Sequence, residues 1–169
     1  MYIPARYDII KLTNKRGYVR MKLTSNLTFD NVIKQYEDKY NRKYYHGQLR
    51  ELREGFEKGL DIDSYANPDF EHEQMKVIRE GLEKGLDVSL YAKPVFDLFQ
   101  MRQIEYGLES GVNVEVYANS KYTSYHMKVI RLYLEQNLDA SRLLDENLHY
   151  LTVKRLEQQL LSNSVSNNS

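Results

Sequence analysis

The 169-residue chain has no cysteine, no tryptophan and only three prolines. Without cysteine there can be no disulfide, no thiolate metal ligand and no thiol nucleophile, and a reducing compartment fits. No apolar run approaches the roughly 20 residues that a membrane helix needs. The start, Met1-Tyr-Ile-Pro-Ala-Arg-Tyr-Asp8, lacks the apolar core of a secretory signal. These absences lead to the expectation of a cytoplasmic protein without a membrane partner. No phosphate loop, dinucleotide fingerprint, GxSxG turn or HExxH pair occurs. The four histidines, His46, His72, His126 and His149, are spread along the chain without metal-ligand spacing. The expectation is therefore no enzyme, no cofactor and no metal.

Charge is absent only as a total. The formal net charge is zero, yet residues 1–45 carry ten Lys/Arg against four Asp/Glu, a balance of +6. Residues 46–169 carry fourteen against twenty, a balance of −6. A basic head on an acidic body bears on partners and steering, not on fold. Fifteen tyrosines add side chains with an apolar body and a polar tip, a type enriched at protein interfaces.

What is plentiful is repetition. Gln48, Gln74, Gln100 and His126 stand 26 residues apart. Gly55, Gly81, Gly107 and Tyr133 follow the same step, as do Gly59, Gly85, Gly111 and Asn137. The pairs Tyr65-Ala66, Tyr91-Ala92 and Tyr117-Ala118 give way to Leu143-Leu144, and Val153 with Leu156 marks a partial fifth copy. Each position has a local reason. Met75, Ile78 and Leu82 lie at i, i+3 and i+7, one face of a helix of roughly 13 residues. Asp97 with Gln100 spells a capping box; Thr123 also suits a cap, and Glu71 suits it less well. Tyr44, Phe70, Phe96 and Tyr122 have the spacing of a hydrophobic staple. Gly59, Gly85, Gly111 and Asn137 predict left-handed helix stops. Asp61, Asp87, Asn113 and Asp139 then read as caps of a short second helix. The mid-helix Gly55, Gly81 and Gly107 carry a penalty of about 1 kcal/mol against alanine, which suggests close helix–helix approach. Glu54–Lys58 and Glu80–Lys84 read as i, i+4 pairs.

The predicted fold is mainly α: a tandem helical-repeat, solenoid-like array over 46–161, since one unit cannot bury its apolar stripe alone. Before it, residues 1–45 form a basic head. Two apolar stretches flank Asn14-Lys15-Arg16-Gly17, which predicts a β-hairpin, and Thr28 caps a helix reaching about Tyr40. After it, residues 162–169 are polar and predicted disordered.

Two sets of residues stand out as partner-binding candidates. Lys15, Arg16, Tyr18 and Arg20 sit at the hairpin of the basic head, where a solvated turn and a phosphate contact are both open. Tyr65, Tyr91 and Tyr117 form a row that either packs between copies or faces a partner.

The stretch Gln74–Phe96, QMKVIREGLEKGLDVSLYAKPVF, resembles a short helical repeat of uncharacterised proteins from Gram-positive bacteria and their phages and mobile elements. The likeness spans the array, about two thirds of the chain, and excludes the head. It implies a mobile-element setting in a bacterial host cell, where small repeat modules bind or inhibit host defence proteins. The expectation is a protein-binding inhibitor or adaptor, phage-encoded and anti-CRISPR-like, acting on a defence nuclease such as a CRISPR effector. The alternative is a nucleic-acid-binding protein that uses the basic head.

Overall fold

The computed structural model describes the backbone of residues 10–13, 19–22 and 28–166 and the side chains of 28–162. Helix dominates: six α-helices and four one-turn 3₁₀ helices fall among the described residues. None of the helices is long and apolar enough to cross a membrane. The chain divides into two compact units, 1–85 and 86–169. That division falls within residues 46–161 and leaves the head with the first 26-residue copy and the helix of the second.

The first unit begins with β1 (Ile10–Thr13) and β2 (Val19–Lys22), whose backbones pair antiparallel with Ile10 opposite Lys22. The connecting residues, including Lys15, Arg16 and Tyr18, lie outside the described residues, as does the side chain of Arg20. Helix α1 (Phe29–Tyr40) starts where Thr28 Oγ1 accepts the Asn31 amide at 3.3 Å. It packs on the first array helix, α2 (His46–Glu57): the Phe29 and Phe56 rings meet edge to face at 5.6 Å, and the Arg53 guanidinium lies 4.1 Å from the Phe29 centroid. The Tyr36 hydroxyl donates to Asp63, which follows α2. A 3₁₀ turn, Ile62–Ser64, and α3 (His72–Lys84) complete the unit.

The second unit holds α4 (Leu98–Glu109), α5 (Ser124–Glu135) and α6 (Tyr150–Ser166), with 3₁₀ turns at Val88–Leu90, Val114–Val116 and Ser141–Leu143. Helix α5 packs against both α4 and α6. Helix α6 runs to Ser166, where a disordered tail from residue 162 was expected; residues 167–169 lie outside the described residues.

Helices α2 to α6 begin at 46, 72, 98, 124 and 150, each 26 residues after the last. The helix starts obey local chemistry. Asp97 Oδ1 accepts the Gln100 amide at 2.8 Å while Gln100 Oε1 accepts the Asp97 amide at 2.8 Å, the reciprocal arrangement of a capping box. Thr123 Oγ1 accepts the His126 amide at 3.1 Å. The stops do too: Gly59, Gly85, Gly111 and Asn137 all adopt positive φ, between 55° and 75°. Behind three of these stops the amides of Leu60, Val112 and Leu138 reach back to the carbonyls of Gly55, Gly107 and Tyr133, the bond that closes a Schellman motif.

The mid-helix glycines serve a purpose other than helix–helix approach. A Cβ on Gly55 would sit 1.7 Å from the Tyr65 hydroxyl, and one on Gly107 would sit 1.9 Å from the Tyr117 hydroxyl. The tyrosine of the same copy folds back onto the helix and donates to a main-chain carbonyl: Tyr65 to Glu51 at 3.2 Å, Tyr117 to Gln103 at 3.0 Å. Glycine leaves the volume that the hydroxyl fills. Where Leu143 replaces the tyrosine, Tyr133 replaces the glycine.

Candidate interaction surface

Each expected site residue can be placed against this frame, except those at the head. Tyr65, Tyr91 and Tyr117 are all 0% exposed, so they cannot form an aromatic row for a partner. Burial is what they are for: it raises the phenol pKa of Tyr65 and Tyr117, as expected for a hydroxyl that stays protonated and donates.

The repeated glutamine is also buried, and it has two duties. Gln48 Oε1 accepts the Tyr45 amide at 3.2 Å, while its Nε2 donates to the carbonyls of Pro68 and Phe70 at 3.1 and 2.7 Å. Gln100 repeats this with Ser120 and Tyr122 at 3.0 and 2.6 Å. One amide group thus caps the start of its own helix and holds the chain leading into the next. His126 stands in this slot, and its Nε2 lies 2.7 Å from the Leu143 carbonyl. Burial lowers its pKa, and the carbonyl opposes that only in part. It is a structural histidine. His149 Nδ1 accepts the Leu151 amide at 3.2 Å at the start of α6. Among the described residues no group of His, Asp and Glu is placed to hold a metal ion.

Ion pairs bridge copies as well as running along single helices. Arg79, 6% exposed, donates to Glu51 at 3.0 Å, sits 3.1 Å from Glu54 and pairs with Glu83, which also takes Lys58 at 2.8 Å. Lys58 therefore reaches across to α3 and not to Glu54 on its own helix. The second unit repeats the layout with weaker partners: Arg131 reaches Gln103 at 3.3 Å and pairs with Glu135, which accepts from Ser110 at 2.7 Å. The pentapeptide Met-Lys-Val-Ile-Arg at 75–79 recurs unchanged at 127–131, a 52-residue period that the 26-residue reading conceals.

The copies differ at half-buried and exposed helix positions too. The second position of each helix is Gly47 in α2 and Glu73 in α3, but Phe99, Tyr125 and Leu151 in α4, α5 and α6. Phe99 is 68% exposed and Leu151 64%. The half-buried Tyr125 meets Tyr150 of α6 at 5.4 Å, and Arg131 of α5 covers Tyr106 of α4 at 5.6 Å. The fifth position is a cation in every copy: Arg50 and Lys76 in the first unit, Arg102, Lys128 and Lys154 in the second. Two of these rest on hidden carboxylates. Arg102 donates to Glu105 at 2.7 Å, whose side chain is wholly buried, and Lys128 donates to Glu157 at 2.8 Å, whose side chain is 14% exposed. The Lys128 ammonium also lies 5.8 Å from the Tyr125 ring centre. Burial and the hydrogen bond to Glu157 push the Tyr125 phenol up to about 12. No family model, no curated protein and no solved structure matches the chain.

Proposed function

We propose that the chain is a protein-binding repeat module that acts as an inhibitor or adaptor. The observation that supports this most directly is the apolar outward position of α4, α5 and α6. Helices α2 and α3 form with Gly47 and Glu73 there, so the repeat folds without an apolar side chain at that position. Exposed apolar side chains that folding does not require, here Phe99 and Leu151, suit a contact surface. The 26-residue step crosses Gly85–Leu86 without an insertion, which supports reading all five copies as one solenoid-like array. The likeness of Gln74–Phe96 to a repeat of phages and mobile elements supports a setting in the bacterial host cytoplasm, with a defence nuclease such as a CRISPR effector as the target. Affinity capture from a bacterial lysate by the full chain tests the binding role. The expected result is a protein retained by the natural chain; no protein retained at low salt refutes it.

The second reading, nucleic-acid binding by the head, is favoured by one observation, the balance of +6 in residues 1–45. Contacts to phosphates release counterions, so affinity must fall with salt. Labelled RNA or DNA that binds in this way and is lost on Lys15→Glu with Arg16→Glu supports it; absent or salt-insensitive binding removes it.

A further inference from the structure

We draw no further inference here: the strongest candidate, the apolar surface of α4 and α6 at the exposed Phe99 and Leu151, carries nothing, because nothing in the structure shows what covers it.

Discussion

Gly55→Ala is the most informative single substitution, because two ordinary rules give it opposite signs. In an open helix, alanine for glycine stabilises by about 1 kcal/mol. Here the new Cβ would lie 1.7 Å from the Tyr65 hydroxyl, with the ring carbon that bears it at 3.1 Å and Ile62 Cγ2 at 3.2 Å. The hydroxyl must move and lose its 3.2 Å bond to the Glu51 carbonyl, worth about 1 kcal/mol. Overpacking adds about 1–3 kcal/mol. The net expectation is a loss of about 1–3 kcal/mol. Tyr65→Phe alone forfeits the hydrogen bond, about 1 kcal/mol. In the double variant the contact at 1.7 Å is gone, the contacts beyond 3.0 Å yield by a few tenths of an ångström, and the helix gain returns. Gly55→Ala/Tyr65→Phe should therefore be more stable than Gly55→Ala, with a coupling within the range of about 0.5–3 kcal/mol seen between touching residues. Urea unfolding of all four proteins, followed by circular dichroism, measures this as shifts in midpoint at constant slope. Gly111→Ala is the control: nothing lies within 4 Å of its Cβ, but φ is +73°, so it loses about 1–2 kcal/mol from backbone strain and Tyr117→Phe does not rescue it. A neutral or stabilising Gly55→Ala, or a double variant no better than the single, refutes the account of the glycine–tyrosine pair.

Other expectations follow from the same contacts. Gln48→Leu removes a cap acceptor and two donated bonds and should cost roughly 2–4 kcal/mol at about 1 kcal/mol each with unpaired carbonyls added, read by urea unfolding. His126 has a lowered pKa in the fold, so the unfolded chain takes up its proton first; stability should fall as pH drops through the ordinary histidine range, and His126→Gln, the residue of the other copies, should flatten that slope between about pH 7 and about pH 5. Burial pushes the Glu83 pKa up, but the bonds from Lys58 and Arg79 outweigh it and leave it lowered. Its contribution is thus present above the usual carboxylate range and lost below it, and Glu83→Gln should shallow the acid limb of a pH–stability curve. Phe99→Ser and Leu151→Ser should each change stability by no more than about 0.5 kcal/mol in thermal unfolding, since neither side chain is used by the fold.

The features that were legible in the sequence are those settled within one copy. Cap and stop depend on residues a few positions apart, and Asp97, Thr123 and Gly59 behave as their neighbours dictate. What was hidden depends on partners further off. The reason for Gly55 is ten residues away at Tyr65, and the second duty of Gln48 is with carbonyls twenty and twenty-two residues on. Tyr65 and Tyr117 lie at the end of a single 3₁₀ turn, too short for periodicity to say whether a side chain points in or out. Phe99, Tyr125 and Leu151 share a slot with Gly47 and Glu73 that the repeat pattern does not define. The head differs again, since the residues that carried its reading, Lys15, Arg16 and Tyr18, lie outside the described residues.

The grip of Gln48 and Gln100 on the chain that follows them has a consequence for how such a protein can change over generations. Their acceptors are peptide carbonyls, which every amino acid supplies. The join between one copy and the next at this point therefore asks nothing of the newcomer's side chains at the accepting positions, only that its backbone arrive on the 26-residue step. A gene encoding such joins can gain or shed whole copies by recombination between its own repeats without first evolving a matching seam. The outward positions are left free to diverge afterwards, so a duplicated copy starts as scaffold and can become a contact surface later.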